Sequence, residues 1–298
     1  SNSEPGPEIT NLLPSINERG RSKARLRRRM PKGVYTMSET LIKTKREGAA
    51  FVITLSRPDK RNAMTNDMMN QLEQAVISAA YDREARAVVI HGDGKCFCSG
   101  IDFNVLAGIG NHTPPEFRFF LAGFQGIFNR LEAMEKPVIA AIHGYCFGMG
   151  TELALAADFR IASEDAAISI QEVELGLIPD VGGTTRLTRT IGASRAKEMI
   201  MLARKIDARR AYEIGLVNEV TAEGAALDVA LSWAEQLKNC APLAVGMAKR
   251  VIDRGSHLDK MTFMELEGIA QSTLLNTADV KEGVMARIQK RNPDFKGK

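Results

Sequence analysis

Three acidic residues near glycine-rich turns are the side chains of this sequence best suited to catalysis. Glu152 follows the turn at residues 148–150 and begins an otherwise apolar segment, and Glu172 and Asp180 come later along the chain. Carboxyl groups that share one pocket can act as proton donor and proton acceptor, because burial and mutual repulsion separate their pKa values. The three residues therefore indicate general acid–base chemistry.

Each of these carboxylates also has a structural interpretation that the sequence leaves open. Glu152 either caps the apolar helix that it begins or takes part in catalysis. Glu172 and Glu174 flank Val173, and we expect one of the two carboxylates to face inward. Asp180 precedes another predicted helix and could serve as its N-cap.

Two glycine-rich turns could supply a second catalytic element. Residues 99–102 follow a predicted strand at residues 86–91, and residues 144–152 follow another at residues 137–142. Backbone N–H groups exposed at such turns carry a partial positive charge. Two of them converging on one point would form an oxyanion hole for a thioester or another acyl oxygen. The alternative is that the glycines only permit tight turns.

Several other catalytic motifs are missing. The sequence has neither the Gly-x-Ser-x-Gly turn of esterases nor the Gly-x-x-x-x-Gly-Lys-Ser/Thr loop that holds nucleotide phosphates. A dinucleotide fingerprint beginning at Gly92 fails, because Phe97 occupies its third glycine position. Cys96 and Cys98 have no second pair at zinc-ligand spacing, and the four histidines show no i, i+4 pair. We therefore expect no metal site, and we expect the thiols and imidazoles to be structural.

Composition excludes several protein classes. The chain has 298 residues, of which 44% are hydrophobic and 26% are charged, so a folded globular protein is expected. No stretch approaches the roughly 20 uninterrupted apolar residues of a membrane span, and the four cysteines suggest a reducing, cytoplasmic compartment. Residues 1–32 carry a charge of +5 and the remainder carries −1. The folded part therefore offers no basic surface for nucleic acid.

Residues 1–36 are predicted to be a disordered basic extension. They contain four prolines and an arginine-rich cluster at residues 22–29, without sustained apolar periodicity. The cluster could be a solvated run, an upstream segment before a start at Met37, or part of a presequence that directs the protein to the mitochondrial matrix. An RNA- or membrane-binding arm is also open, although the cluster lacks aromatic residues that would stack on bases.

Apolar periodicity beyond residue 36 predicts an α/β fold. Strands are expected at residues 41–45, 50–55, 86–91, 137–142 and 159–162, with a turn at residues 47–48 between the first two. Helices are expected at residues 66–81, 116–134 and 148–157. The repeated unit is a strand, a glycine-rich turn and a helix, which predicts a layered core at residues 37–221. Residues 222–298 are predicted to be a helical region.

At these motifs the sequence resembles the crotonase, or enoyl-CoA hydratase/isomerase, superfamily over essentially all of residues 39–298. The resemblance rests on four segments in order and spacing: residues 57–64 (RPDKRNAM), 94–102 (GKCFCSGID), 136–145 (KPVIAAIHGY) and 176–187 (GLIPDVGGTTRL). It implies an α/β spiral core of ββα units and a C-terminal helical region that forms homotrimers, which commonly pair into hexamers. It also implies an acyl-CoA thioester substrate and no metal or redox cofactor.

The resemblance assigns roles to residues at matching positions. The oxyanion donors would be the backbone N–H groups of Ile101 and Met149, although the family usually has glycine at the second position. Contacts with coenzyme A would come from Lys60, Arg61, Ala63, Ile101, Asp102, Phe103 and Asn104. Lys296 matches a C-terminal position that can reach the nucleotide of a neighbouring subunit.

Two enzymatic functions follow from the resemblance. Glu152 and Glu172 match the glutamates with which enoyl-CoA hydratases add water to a double bond, so a hydratase of 2-trans-enoyl-CoA in fatty-acid-type β-oxidation is expected. Asp180 departs from that pattern and, with Glu172, is similar to the acid pair of dienoyl-CoA isomerases. A dienoyl- or 3-enoyl-CoA isomerase is therefore the alternative, although such isomerases usually carry aspartate at the Glu152 position. The third hypothesis, ranked last, is a non-catalytic protein of this fold whose basic tail binds RNA.

Overall fold

Apolar segments form two sheets in the protein, whose structure is a computed structural model that describes residues 39–298. The strands are β1 (Ile42–Glu47), β2 (Ala50–Leu55), β3 (Ala87–Gly92), β4 (Val138–Ile142), β5 (Tyr145–Phe147), β6 (Phe159–Ser163), β7 (Ala167–Ser169), β8 (Ile206–Asp207) and β9 (Glu219–Thr221). The larger sheet has the order β1-β2-β3-β4-β6-β9, and the smaller sheet has the order β5-β7-β8. The predicted basic extension at residues 1–36 lies outside the described residues.

Helices follow the strands and cover the larger sheet. They are α1 (Asn66–Tyr81), α2 (Phe103–Ile109), α3 (Pro114–Ala133), α4 (Met149–Leu155), α5 (Gly183–Met201), α6 (Ala208–Glu213), α7 (Ala226–Gln236), α8 (Pro242–Gly255), α9 (Lys260–Leu274) and α10 (Ala278–Ile288). Short 3₁₀ helices lie at Pro58–Lys60, Glu172–Leu175 and Leu237–Asn239. No helix in the part of the chain that the structure describes has the length and apolar character to span a membrane.

The chain alternates between the two sheets, and this alternation produces the spiral. β4 is followed directly by β5 and α4, and β6 is followed by β7 and then α5. Isolated bridges between Met64 and Ile101 and between Cys98 and Cys146 extend the smaller sheet to the segments that follow β2 and β3. Each turn of the spiral thus consists of a strand of the larger sheet, a short segment in the smaller sheet and a helix. The predicted spiral of ββα units is confirmed.

The central strands β2, β3 and β4 are largely apolar because helices cover both faces of the larger sheet, whereas the edge strand β1 is polar and exposed beyond Ile42. β2, β3 and β4 are parallel neighbours and almost wholly buried. On one face, α7 packs Ala226, Ala230 and Ala234 against the sheet, and these small residues allow a close approach of helix and strands. α7 therefore belongs to the packing of the sheet although it follows the last strand, and the domain boundary at residue 222 stays a prediction.

α1 shows how local sequence determines where a helix begins and which face it buries. The side chain of Thr65 accepts a hydrogen bond from the Met68 N–H (3.1 Å), which satisfies one of the free donors at the start of the helix. Met69, Leu72 and Val76 recur on one face and are buried in the core. The predicted helix at residues 66–81 is confirmed.

Candidate active site

Main-chain hydrogen bonds hold two glycine-rich turns in register. Cys98 and Cys146 form a parallel bridge, in which the Cys98 N–H donates to the Tyr145 carbonyl (2.9 Å) and the Phe147 N–H donates to the Cys98 carbonyl (2.9 Å). Beyond the bridge the two turns stay close, because a Cβ added to Gly100 would lie 3.1 Å from the Phe147 carbonyl oxygen. The positions three residues after the bridged cysteines are equivalent in the two turns. Those positions are Ile101 and Met149.

The N–H groups of Ile101 and Met149 are free to bind a ligand. Within residues 39–298, neither N–H donates to a protein acceptor. Met149 is the first residue of α4, where an N–H has no partner inside the helix. A Cβ added to Gly100 would lie 3.7 Å from the Met149 nitrogen, which shows how closely the two turns approach. The arrangement can therefore form an oxyanion hole.

Gly148, between these donors and the carboxyl cluster, is required by conformation and by space. Its φ is +50°, in the left-handed region that favours glycine. A Cβ at this position would lie 2.9 Å from Oε1 of Glu172. The missing side chain thus allows the Glu172 carboxylate to lie against the turn that carries the Met149 N–H.

Glu152 lies on α4 and is only 2% exposed. Its Oε1 accepts hydrogen bonds from the N–H groups of Val181 (2.9 Å) and Gly183 (2.8 Å) at the start of α5. Glu152 therefore supplies an acceptor to the N-terminus of a neighbouring helix rather than to its own. These two bonds fix the orientation of the carboxyl group.

Glu172 begins the 3₁₀ helix Glu172–Leu175 and faces the cavity described below. Its Oε2 is buried and has no hydrogen-bond partner. A buried carboxylate oxygen without a partner is unfavourable unless it is protonated or binds a ligand. Glu174 is exposed, so Glu172 is the inward-facing member of the pair, although both lie on a 3₁₀ helix rather than on a strand.

Asp180 does not cap the helix that follows it, so that structural interpretation of the sequence is wrong. The N-cap of α5 is Gly182, which has a φ of +101°. No side chain caps this helix by a hydrogen bond, so the Asp180 carboxyl group has no capping role. The carbonyl of Asp180 accepts a hydrogen bond from Nε2 of Gln125 (2.7 Å). Its carboxyl group is half-buried beside the two glutamates.

Burial raises the pKa of all three carboxyl groups. Burial, followed by the negative charge of Glu172, raises the pKa of Glu152 to about 8, and Asp180 contributes in the same direction. Burial also raises the pKa of Glu172, with a smaller contribution from Asp180, and burial raises the pKa of Asp180. Because the groups interact, they titrate as a set, and the set can both hold and accept a proton near neutral pH.

A cavity of about 660 Å³ opens in front of the two N–H groups and Glu172. Its lining includes every residue that the resemblance assigns to coenzyme A except the C-terminal lysine: Lys60, Arg61, Ala63, Ile101, Asp102, Phe103 and Asn104. Basic side chains occur together with apolar ones such as Leu106 and Leu177, which suits a ligand that is charged at one end and apolar at the other. Glu152 and Asp180 are not among the lining residues.

Two of the predicted contact residues have other partners. Asp102 accepts a hydrogen bond from Nη1 of Arg57 (2.6 Å) and from the N–H of Asn104 (2.9 Å), so it also caps α2, and the Arg57 bond lowers the pKa of Asp102. Lys296 does not line the cavity of its own chain. Its backbone N–H donates a hydrogen bond to Oδ1 of Asp279 (2.8 Å). A contact of Lys296 with coenzyme A in a neighbouring subunit stays a prediction.

Asn62 is a structural support of the site that sequence reasoning did not single out. It is fully buried, has a φ of +56°, and joins the turn that carries Lys60 and Arg61 to the turn after β3. Its Oδ1 accepts from the Arg57 N–H (2.8 Å), and its Nδ2 donates to the Cys96 carbonyl (2.9 Å). Asparagine tolerates left-handed backbone, which is the signal that could have identified it.

The thiols near the site are buried and neutral. Burial raises the pKa of Cys98 to about 12, and burial also raises the pKa of Cys146. In the described range of residues 39–298, no group of three His, Cys, Asp or Glu side chains is arranged to hold a metal ion.

Comparisons with known proteins agree on one family. The sequence profile of the family described as enoyl-CoA hydratase/isomerase matches residues 45–298. A probable mitochondrial enoyl-CoA hydratase 2 of Arabidopsis thaliana is 38% identical over 246 residues, which cover 82% of this chain and 81% of the relative. The 2,3-dehydroadipyl-CoA hydratase of Escherichia coli K12 is 35% identical over 267 residues, which cover 88% of this chain and 100% of the relative.

Solved structures give the same result. The crystal structure of an enoyl-CoA hydratase from Bacillus anthracis has a TM-score of 0.81 and 34% sequence identity, and the match covers 87% of this chain and 100% of that one. Sequence and fold thus agree over nearly the whole of the described chain, and this protein belongs to the enoyl-CoA hydratase/isomerase family.

Proposed function

We propose that the protein is a hydratase that adds water across the double bond of a 2-trans-enoyl-CoA, as in fatty-acid-type β-oxidation. The observation that carries the proposal is the buried, unpartnered Oε2 of Glu172, which lies at the cavity beside the free N–H groups of Ile101 and Met149. A carboxylate oxygen in this position can bind the attacking water next to a thioester. The E. coli relative, named for the hydration of an enoyl-CoA, supports the same reaction class.

In the proposed reaction, the thioester oxygen accepts hydrogen bonds from the N–H groups of Ile101 and Met149. The water oxygen forms a bond to C3, the electrons of the C2–C3 double bond move toward the thioester, and the two N–H groups stabilise the enolate that forms. One glutamate of the Glu152–Glu172 pair takes a proton from the water, and the other gives a proton to C2. The pair ends with the proton that it had at the start. Water and the thioester are the only reactants and no electrons are exchanged with another molecule, so the proposed reaction needs no redox cofactor. We assign charge stabilisation to the two N–H groups and proton transfer to the glutamates, and we propose no role for a metal.

The raised pKa of Glu152 supports a pair in which one carboxyl group is protonated and the other is ionised. With a pKa of about 8, Glu152 is protonated at neutral pH, so the pair holds one proton before the reaction. Loss of that proton at higher pH, or gain of a second proton at lower pH, removes either the donor or the acceptor. Hydration should therefore have a bell-shaped pH profile.

A dienoyl- or 3-enoyl-CoA isomerase is the second candidate, and one observation favours it. The Asp180 charge raises the pKa of Glu172, so these two carboxyl groups are close enough to interact and could move a proton between two carbon atoms. Glu172 lines the cavity and Asp180 does not. Glu152 does not line the cavity either, so the lining alone does not separate the two functions. We prefer hydration because relatives that are 38% and 35% identical to this chain are named as hydratases.

A paired turnover assay on the full chain distinguishes the two candidates. One reaction contains crotonyl-CoA and follows the loss of the absorbance of its conjugated thioester, and the other contains a 3,5-dienoyl-CoA and follows the appearance of the 2,4-conjugated product. Turnover of crotonyl-CoA alone is the expected result. Turnover of the dienoyl-CoA alone would assign the chemistry to Glu172 and Asp180, and turnover of neither would refute both activities.

We also propose that the chain assembles as a trimer through its C-terminal helices. Large apolar side chains are exposed there in the single chain, among them Ile252 (62% exposed), Met261 (72%) and Ile288 (69%). Exposed large apolar side chains on three successive helices support a protein interface in this region. Sedimentation equilibrium would show a mass three or six times that of the chain, and a monomer would contradict the proposal.

A further inference from the structure

A buried arginine contacts the loop that bonds to Glu152 and has no part in the reaction steps above. Arg186, on the first turn of α5, is 7% exposed. Its Nη1 donates to the Val181 carbonyl (2.8 Å), and its Nη2 donates to Asn129 Oδ1 (2.7 Å) and to Glu132 Oε2 (2.8 Å) on α3. One guanidinium group therefore joins the loop before α5 to a different helix.

The same loop carries the two donors that hold Glu152. The N–H groups of Val181 and Gly183 point to Oε1 of Glu152. Two carbonyl groups lie between these N–H groups in the chain, and the first of them, that of Val181, accepts a hydrogen bond from the Arg186 side chain. A peptide segment held at its carbonyl by Arg186 has little freedom to turn its N–H groups away from Glu152.

The guanidinium group of Arg186 also lies close against the loop at Gly182. Gly182 has a φ of +101°, and a Cβ at this position would overlap Nη1 of Arg186. A second tie to α3 comes from Gln125, whose Nε2 donates to the Asp180 carbonyl (2.7 Å). The successive carbonyl groups of Asp180 and Val181 are thus both tied to α3, the first directly by Gln125 and the second through Arg186.

We propose that Arg186 is a positioning residue for the Glu152 carboxyl group, because it fixes the Val181 carbonyl to α3 and thereby keeps the N–H groups of Val181 and Gly183 on Oε1 of Glu152. The catalytic consequence rests on the proposed hydratase function, whereas the effect on the carboxyl group does not. The charged groups that act on Glu152 are Glu172 and Asp180, and the charge of Arg186 is itself bound by Glu132.

Titration of the Glu152 carboxyl group tests the proposal without turnover. Infrared spectra of the full chain are recorded across pH, and the band of the protonated carboxyl is assigned to Glu152 by its loss in Glu152→Gln. Hydrogen bonds to a carboxylate favour its charged form, so loss of the two N–H bonds should raise the midpoint of this band by about one pH unit in Arg186→Met. Arg186→Lys keeps the charge but cannot reach Val181 and α3 together, and it should show a smaller rise.

Kinetics with crotonyl-CoA give the second readout, and a variant of Arg195 provides the control. Arg186→Lys should reduce kcat by about tenfold with little change in KM, because a misplaced acid–base group affects the transition state more than binding. Arg195→Met, an exposed arginine on the same helix that pairs with Glu198, should match the wild type in both measurements.

The outcomes separate the proposal from its alternatives. A wild-type midpoint in Arg186→Lys together with a raised midpoint in Arg186→Met would show an effect of charge alone and would overturn the positioning role. Wild-type midpoints in both variants would overturn it as well. If the midpoint shifts while the wild type turns over no enoyl-CoA, the positioning role stands and the hydratase function fails. If Arg186→Met does not fold, Arg186→Lys and its midpoint decide the question.

Discussion

Substitution of Glu152 by glutamine changes the pH dependence of stability in a direction that the structure fixes. Glu152 ionises at its ordinary pKa of 4.5 in the unfolded chain and at about 8 in the folded protein, because burial disfavours the charged form. Between these pH values the folded protein binds a proton that the unfolded chain has lost, so the free energy of unfolding falls as the pH rises. Glutamine does not ionise, and its Oε1 can still accept the N–H bonds of Val181 and Gly183.

The size of the effect follows from the two pKa values. One proton of difference lowers the free energy of unfolding by about 1.4 kcal/mol per pH unit. At pH 7, the wild type is therefore about 3 kcal/mol less stable than it would be with a neutral Glu152. The stability of Glu152→Gln relative to the wild type should rise by about 3 to 4 kcal/mol between pH 5 and pH 8.

Urea-induced unfolding at pH 5, 6, 7 and 8 measures this difference. The fluorescence of Trp233, the only tryptophan of the chain, reports unfolding, because its ring packs edge-on against Phe159 in the core (centroid distance 5.3 Å). The protein concentration is kept constant, since assembly contributes to stability. Glu174→Gln, an exposed neighbour of the cluster, serves as the control and should parallel the wild type. A stability difference that stays constant from pH 5 to pH 8 would refute the reasoning.

Two further substitutions test the geometry around the glutamates. Gly148→Ala should reduce kcat at least a hundredfold, because the added Cβ would lie 2.9 Å from Oε1 of Glu172. Gly176 also has a positive φ (+75°), but no atom lies within 4 Å of a Cβ added there. Gly176→Ala should therefore cost only about 1 kcal/mol in stability. Steady-state kinetics and urea unfolding of both variants check this, and equal losses of kcat would contradict it. Asp180→Asn should shift the basic limb of the hydration profile to lower pH, because it removes a negative charge that raises the pKa of Glu152. Complete loss of turnover in Asp180→Asn would instead place this carboxyl group in the reaction.

The longer elements of the fold could be predicted from sequence, and the short ones could not. Ala50–Leu55 and Asn66–Tyr81 carry continuous or periodic apolar residues, and both form at the predicted positions. β1 extends to Glu47, two residues beyond the predicted end, because it pairs with β2 along its whole length. The strands of the smaller sheet were not predicted, since β7 and β8 have three and two residues and therefore show no alternation.

The candidate site was predictable where local sequence determines it. The sequence indicated a carboxyl cluster beside two donor turns, and the structure places Glu172 beside the turn that carries Met149. The contact of Glu152 with Val181 could not be predicted, because the two residues are 29 positions apart and meet only through packing of α4 against α5. The same contact explains why the predicted N-cap role of Asp180 is wrong. The preference of aspartate for N-cap positions is local, and it does not show that Glu152, on another helix, accepts the N–H bonds at the start of α5.

A double-mutant cycle on Glu152 and Glu172 tests the central claim most directly. Glu152→Gln, Glu172→Gln and the double variant are compared by kcat for hydration of crotonyl-CoA at neutral pH. If the two glutamates act as one acid–base pair, each single substitution should reduce kcat by about 10²- to 10⁴-fold, and the double variant should be no worse than the more damaged single variant. Losses that multiply in the double variant, or hydration that survives either single substitution at the wild-type rate, would contradict the account.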